Sequence, residues 1–526
     1  MGPTRFLATA IALVAVVTGC SDPGGTGDPT TTGASASAPD PAVRAALQLP
    51  ALHAEPDPVG GGRIVDSEGR QVILRGVNVN ALAEYWSGND HPTTFPLTEE
   101  DMDTIAGIGW NTVRLLLSWS RVEPEPGSYD DAYLDSVDAA VEGLAQRGIY
   151  TIIDLHQDAW GPTLAARPDE GCGANSEPAK GWDGAPGWAT LGGEELGTRC
   201  TLNGVRETSA AVLTSFEAFW ENAPGPGGVG IRTRYVEMLG HLAARWAADP
   251  AVAGYDLMNE PNAFSDAGRT QLGEFYEDAL AVMREAEAGV SGGSPHLILF
   301  EPPAIWSSTG EGPPPVFTHD RDVVYAPHIY TGGFTGGAIT EQAFAIAIEE
   351  AAAFGGAPVL TGEWGADPAR AGGDGDGYFL EHQRLQDESL ISATLWTWRE
   401  SCGDPHKVGQ EDPVPWGEFD VDCDTNEPTG VRTELVDDLT RGYVRAGPGR
   451  IRSMVWDPES RVLEADGEAA SPGSVFVAFL PGDVSGRDAK ARGMGPVETV
   501  PAPHGGSFVV AEVEAAEWSI SAAAPP

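Results

Sequence analysis

Eight short apolar runs, recurring in order with helix-like stretches between most of them, constrain the fold more than any other feature. They are VILRGVNVN (72–80), TVRLLLSW (112–119), YTIIDLHQD (150–158), VAGYDLMNEP (252–261), HLILFEPP (296–303), VVYAPHIY (323–330), APVLTGEWG (357–365) and ISATLWTW (391–398). Each is nearly continuous in apolar and β-branched residues, the texture of a strand covered on both faces. Two of the stretches between them, LDSVDAAVEGLAQRG and EQAFAIAIEEAAAFGG, carry apolar residues at helical spacing. Alternation of this kind predicts an α/β protein, a (β/α)8 TIM barrel. An open doubly wound sheet is the competing arrangement, but no Gly-rich phosphate loop follows the first run.

The flanking sequence divides the rest of the chain. GRIVDSEGRQVIL predicts a hairpin turning at Ser67-Glu68-Gly69, just before the first barrel strand. Residues 159–251 far exceed an ordinary strand-to-strand connection and fall where barrel loops build a binding face. They include two helix-like stretches, VLTSFEAFW and RTRYVEMLGHLAARWAAD. After about residue 445, short alternating runs separated by turns predict a small C-terminal antiparallel β-sandwich-like domain. A packing role is expected for it, with carbohydrate binding as the alternative.

At the N-terminus, Arg5 precedes FLATAIALVAVV, a run too short to span a bilayer comfortably, and Val17-Thr18-Gly19-Cys20 follows. The pattern resembles a bacterial lipoprotein signal, which implies export, lipidation of Cys20 and membrane association through that anchor. SDPGGTGDPTTTGASASAPDPA then reads as a flexible tether. The expected organisation is a signal over 1–19, a tether over 20–58, the barrel over 59–445 and the β-domain over 446–526. Setting Cys20 aside, four cysteines remain, and they allow three pairings. The sequence-local one, Cys172–Cys200 with Cys402–Cys423, would staple two Gly/Pro-rich loops in an oxidising compartment. None of the four sits in a Cys-x-x-Cys pair, so no metal site is expected of them. With 78 acidic against 31 basic residues and a net charge of -47, the chain lacks the basic footprint that nucleic-acid binding requires. Oligomeric state is not legible.

Barrel enzymes place their chemistry at the C-terminal ends of several strands. Those ends carry Arg114, His156 with Asp158, Asn259 with Glu260, His328 with Tyr330, Glu363 and Trp396. Taken singly, a strand-end Glu meets solvent and Trp396 is a core aromatic. Taken together, two carboxylates from the fourth and seventh strands face each other across one barrel mouth. Such a pair is the machinery of glycoside hydrolysis, with one group giving a proton to the leaving oxygen and the other attacking the sugar or activating water. Arg114 among them opposes a metal cation, and no cofactor is expected.

Asn259-Glu260-Pro261 on the fourth strand and Gly362-Glu363 on the seventh resemble glycoside hydrolase family 5, retaining enzymes on a (β/α)8 barrel. The resemblance implies Glu260 as acid/base and Glu363 as nucleophile, held ionised by Arg114 and Tyr330. It further implies that Asn259 binds the sugar 2-hydroxyl, that Trp396 floors the cleavage subsite, and that His156 and His328 belong to the same set. Within the family, Asp154-Leu155-His156-Gln157-Asp158, Gly184-Ala185-Pro186-Gly187-Trp188-Ala189-Thr190 and the segment from Tyr255 to Pro261 are similar to endoglycoceramidases, which cut between an oligosaccharide and ceramide. That similarity implies a glycosphingolipid substrate, with Asp158 and Trp188 touching sugars. Trp160 and Phe334 lie in loops suited to a lipid groove. Endoglycoceramidases carry a lysine after the first strand that touches the sugar next to ceramide. Glu84 stands there in this chain, whose only lysines are Lys180, Lys407 and Lys490. The change leans toward endogalactosylceramidases, which accept galactose at that place. A steryl glucoside or a polysaccharide is the alternative substrate, and a non-catalytic glycan-binding protein a third reading.

Overall fold

The computed structural model describes residues 40–525 apart from 86, 87, 89, 90, 193–195, 311, 313–315, 334–340, 367–376, 407–413 and 485–488. The signal, Cys20, the first part of the tether and Phe334 lie outside the described residues.

Eight parallel strands form the barrel, each within one of the expected runs. In order they are Arg75–Val79, Thr112–Ser118, Tyr150–His156, Val252–Asp256, Leu297–Phe300, Val323–Tyr325, Leu360–Trp364 and Ser392–Leu395. The first to the sixth pair in sequence, the eighth pairs with both the first and the seventh, and a parallel bridge from Tyr325 to Val359 closes the ring. Every residue of the second and third strands is buried, because the lumen fills one face and the helices cover the other. The helix Asp131–Ala145 shows how they are covered. Asp130 caps it by accepting the Tyr133 N–H, and Leu134, Val137, Val141 and Leu144 bury one stripe.

The long connection after the third strand contains the helices Ala210–Trp220 and Ile231–Trp246 and a ribbon of Ser176–Pro178 against Cys200–Leu202. Cys172 and Cys200 are disulfide-bonded beside that ribbon, with Cα atoms 5.7 Å apart. Cys402 and Cys423 are bonded in the loop after the eighth strand, at 5.4 Å. Of the three possible pairings, the structure has the sequence-local one.

Two expected boundaries are corrected. The tether does not run to residue 58: Asp40 caps a helix over Pro41–Leu47, and Leu52–Glu55 is a strand. Nor does the β-domain consist of 446–526 alone. Its larger sheet has seven strands, in the order Leu52–Glu55, Arg63–Asp66, Arg70–Val72, Tyr443–Pro448, Val475–Leu480, Ser507–Glu512 and Glu498–Pro501. The expected hairpin is therefore there, turning through Gly69 at φ 76°, but it belongs to this sheet through pairing of Val72 with Ala446. Ala42, Ala46, Leu52 and Ala54 bury against Phe476, Phe479 and Phe508 in one cluster. Those partners lie far along the chain, so the local composition around residue 50 gives no hint of them.

A second antiparallel sheet holds Arg450–Asp457, Val462–Glu468, Glu517–Ala523 and Lys490–Arg492. The β-domain packs under the barrel. Tyr443 Oη donates to the Gly109 carbonyl at 2.8 Å and Arg445 Nη2 to that of Gly148 at 2.7 Å, both in turns leading into barrel strands. The opposite rim is left open.

Candidate active site

At the open rim the strand ends converge on Arg114, whose side chain is wholly buried. Its guanidinium donates from Nη1 to Glu363 Oε1 at 2.9 Å and Asn78 Oδ1 at 3.0 Å, and from Nε to Asp256 Oδ2 at 3.0 Å. Nη2 serves Asp154 Oδ1 at 2.9 Å, Asn259 Oδ1 at 3.0 Å and Glu301 Oε1 at 3.1 Å. One cation from the second strand thus ties together residues of the first, third, fourth, fifth and seventh. Burial opposes its charge, but Asp154, Asp256, Glu363 and Glu301 outweigh that and hold it protonated.

Glu363 receives a second hydrogen bond from Tyr330 Oη at 2.9 Å. Burial, with Glu363 and Glu260 close by, keeps that phenol protonated well above its ordinary range. Across from it, one Glu260 oxygen, one Glu363 oxygen and His328 Nδ1 all lie within 4.8 Å of one another. His328 Nδ1 is 3.0 Å from Glu260 Oε1 and 3.4 Å from Glu363 Oε2. Burial would strip the imidazole of its proton, but Glu301, Glu363 and Glu260 raise its pKa well above the usual histidine value. Glu260 itself has φ 38°, an uncommon left-handed conformation for a residue with a side chain.

A cavity of about 490 Å³ opens over these groups. His156, Asp158, Asn259, Tyr330 and Trp396 line its polar side together with the two glutamates. His156 is fixed by Asp154 Oδ2 at 2.6 Å from Nδ1 and stacks on Trp396, with ring centroids 5.4 Å apart and planes 16° from parallel. One face of the Trp396 indole is therefore taken. On another side Val205, Phe264, Ala304 and Ile305 make an apolar lip.

Other expected contacts are not brought here. Trp160 is 2% exposed and packs on Trp119, Phe216 and Phe219, with Nε1 donating to Thr190 Oγ1 at 3.0 Å. Trp188 donates to the Glu123 carbonyl at 3.0 Å and stands edge-on to Trp119. Both indoles are absorbed by the core beneath the insertion, because a bulky ring in a Gly-rich loop buries itself where helices offer an apolar face. Glu84 is half-buried, its N–H held by Ser118 Oγ at 2.9 Å, and it does not line the cavity.

In their place the insertion and the last loop deliver residues that sequence reasoning passes over. Arg206 lies over the Trp182 ring at 4.5 Å, 2.6 Å from Asp158 Oδ1 and 3.5 Å from Glu260 Oε2. His406 Nε2 binds Asp158 Oδ2 at 2.6 Å, and its Nδ1 binds Asp404 Oδ1 at 2.8 Å. Trp416 also lines the cavity. Their loops are irregular, and no periodicity marks them. Glu301 could have been found: Phe300-Glu301-Pro302 repeats at the fifth strand the Glu-Pro ending of Asn259-Glu260-Pro261 at the fourth.

Among the described residues three sets of side chains, His156 with Asp158 and His406, Glu260 with His328 and Glu363, and Glu400 with Asp404 and His406, bring potential metal-ligand atoms together. Arg114 and Arg206 pair with carboxylates of the first two sets and meet the charge that a cation would.

His406 has a consequence for stability. Burial opposes its proton, but Asp404 and Asp158 on either side lift its pKa to about 10 from an ordinary 6.5. A raised histidine stabilises the fold fully below pH 6.5 and progressively less as the pH climbs through 10. Thermal melts across that window are expected to fall more steeply for the parent protein than for His406→Gln. Parallel curves would remove the ion pairs from the account.

The model of the family described as cellulase (glycosyl hydrolase family 5) matches residues 65–401, a stretch holding every residue of the polar side just named. The chain belongs to glycosyl hydrolase family 5. It is a glycoside hydrolase on a (β/α)8 barrel. Endoglycoceramidase I of Rhodococcus hoagii (strain 103S) is 30% identical over 291 residues, which are 51% of this chain and 52% of that protein, so the chain spans about half the length of this curated relative. The crystal structure of an endogalactoceramidase is 34% identical, with a TM-score of 0.77 over 90% of this chain and 99% of that one. Endo-glycoceramidase II from Rhodococcus sp., in a cellobiose-like isofagomine complex, shares the fold at a TM-score of 0.66 and 24% identity, over 88% and 99% of the two chains.

Proposed function

We propose that this family 5 hydrolase is a retaining endo-β-glycosidase that cuts an oligosaccharide from ceramide in glycosphingolipids, with galactose as the sugar next to ceramide. What carries the reading is one cavity in which two carboxylates approach within 4.8 Å between a polar wall and an apolar lip. Retaining enzymes separate their carboxyl groups by about 5–5.5 Å, whereas inverting ones leave about 6.5–9.5 Å for a water. The short approach favours double displacement. In the first half, Glu363 bonds to the anomeric carbon, the bond to the aglycone oxygen breaks, and that oxygen takes the proton of Glu260. In the second, water gives a proton to Glu260 and its oxygen displaces Glu363, restoring the β configuration. Arg114 and Tyr330 hold Glu363 by two hydrogen bonds, Asn259 meets the 2-hydroxyl, and Trp396, which lines the cavity, meets the sugar ring. Asp158, clamped by Arg206 and His406, meets further hydroxyls.

Two observations support the aglycone and the sugar. Val205, Phe264 and Ile305 remain 49%, 40% and 51% exposed at the cavity mouth, an arrangement suited to a hydrocarbon chain. The endogalactoceramidase is more similar in sequence than endo-glycoceramidase II is, which supports galactose. The deciding experiment offers glucosyl- and galactosyl-linked glycosphingolipids, steryl glucoside and cellulose, and identifies the products by mass spectrometry. Intact oligosaccharide and free ceramide from the galactosyl series are expected. Release of single sugars only would contradict the endo reading, and equal cutting of cellulose would remove the lipid.

The lip makes its own prediction. Phe264→Asp and Ile305→Asp are each expected to lower kcat/KM on a ceramide-linked glycan by about 10-fold or more, the worth of one buried apolar side chain. Hydrolysis of a 2,4-dinitrophenyl glycoside, which has no lipid, should stay within about 2-fold if the lip serves the aglycone alone. Equal losses on both substrates would place these residues in the sugar subsites.

A further inference from the structure

Glu301 ends the fifth barrel strand, is 1% exposed and does not line the cavity. Its carboxylate nevertheless reaches the acid/base twice. Oε2 accepts the backbone N–H of Glu260 at 2.8 Å. Oε1 lies 3.1 Å from His328 Nε2, and the other nitrogen of that ring is 3.0 Å from Glu260 Oε1. One side chain therefore holds the main chain of Glu260 directly and its carboxylate through an imidazole. Arg114 Nη2, 3.1 Å from Oε1, and Tyr276 secure Glu301 in turn. The Tyr276 hydroxyl accepts the Glu301 N–H at 3.2 Å and donates to its carbonyl at 2.8 Å. The ionisable groups facing the carboxylate are Arg114, His328, Asp256, Tyr276 and Tyr325.

The grip answers two needs. The left-handed backbone of Glu260 costs about 1–3 kcal/mol and persists only where neighbours fix it. The hydrogen bond from its N–H to Glu301 is such a fixture. The second need is the direction of a proton. The carboxylates around the His328 ring, Glu301 among them at 3.1 Å from Nε2, keep it protonated, so that it presents N–H, not a lone pair, to Glu260 Oε1. Glu260 Oε1 is thereby bound as an acceptor, while Oε2 faces the Arg206 guanidinium at 3.5 Å.

We propose that Glu301 is a positioning residue for the acid/base, fixing the backbone of Glu260 directly and its carboxylate through His328. The proposal rests on the assignment of Glu260 made above, and the two are separable by leaving group. A phenyl glycoside needs the proton, whereas a 2,4-dinitrophenyl glycoside departs without it. Both β-galactosides and both β-lactosides are assayed with purified full-length protein. Glu301→Gln is expected to lower kcat/KM on the phenyl glycosides by roughly 30- to 100-fold, within the range for general acid catalysis, and on the dinitrophenyl glycosides by less than about 3-fold. Azide, which needs no general base, should raise kcat of the variant on the dinitrophenyl substrates. Glu301→Asp keeps the charge beside Arg114 but is one methylene too short to reach both partners. It is expected to show the same selectivity, and it serves if the glutamine variant does not fold. Equal losses on the two leaving groups in the folded variant would overturn the proposal, as would an unchanged phenyl rate. Glu260→Ala is the control: if it shows no leaving-group selectivity, the assignment of Glu260 has failed, not the role of Glu301.

Discussion

Glu363→Gln is expected to lower kcat/KM by at least about 10⁴-fold, on activated and unactivated glycosides alike, while the melting temperature stays close to that of the parent. The substitution keeps the shape of the side chain and an oxygen for the Tyr330 hydroxyl or the Arg114 guanidinium, so the site should stay assembled. What disappears is the atom that forms a bond to the anomeric carbon, and a better leaving group cannot replace that. This separates Glu363 from Glu260, whose loss a dinitrophenyl group should largely conceal in the first step. Azide sharpens the comparison. With Glu363→Gly, azide attacks from the emptied face and should give an α-glycosyl azide. With Glu260→Ala it attacks the glycosyl-enzyme and should give the β-anomer. Product configuration by NMR checks both, and a β-azide from Glu363→Gly would exchange the two roles.

The second large effect concerns stability. Arg114→Met should cost about 3–5 kcal/mol, because it strands buried carboxylates without their cation. Asp154, Asp256, Glu301 and Glu363 all lean on that guanidinium, and His156, His328 and Tyr330 pair with only some of them. The sign of the pH dependence follows. Asp256 and Glu301 already have raised pKa values, chiefly from burial, and removing the cation raises them further. Carboxyls raised in the folded state disfavour folding above their unfolded pKa, increasingly as pH rises, so the penalty of Arg114→Met should shrink between about pH 8 and about pH 5. Urea melts at the two values test this. A penalty independent of pH would mean that lost packing, not lost charge, is the cause.

Much of this was legible in the sequence wherever the information is local. A barrel strand covered on both faces is a run of apolar letters, and a helix cap is two or three residues from its partner. Strand-end residues such as Glu260 and Glu363 were readable because the barrel fixes where a strand end must point. What escaped was set by distance. Nothing near Ala42 and Ala46 announces that their helix packs on the strands Val475–Leu480 and Ser507–Glu512, so the stretch reads as tether. The aromatic residues of the insertion show the same limit. Trp160, Trp182 and Trp188 stand in similar Gly-rich surroundings, yet Trp182 lines the cavity while Trp160 and Trp188 settle on Trp119. Which ring reaches a cavity depends on how a long loop folds over helices Ala210–Trp220 and Ile231–Trp246, and that is decided in three dimensions. Arg206 and His406 were missed for the same reason: each matters through Asp158, which neither adjoins in sequence.

The sheet under the barrel sets a schedule for the growing chain. Its hairpin is synthesised long before the strand it pairs with: Val72 waits for Ala446, and the strand beyond that waits for residues 475–480. An early edge with open hydrogen-bonding groups must therefore be kept from other chains through most of synthesis. The arrangement also works as a completeness check. A chain broken off before residue 443 can form every barrel strand and still leave the floor of the lumen, with Ile152, Leu297 and Val324, uncovered. Truncated products would thus betray themselves by exposed hydrophobic surface, and only a chain that has gained the strands after residue 443 can close its own base.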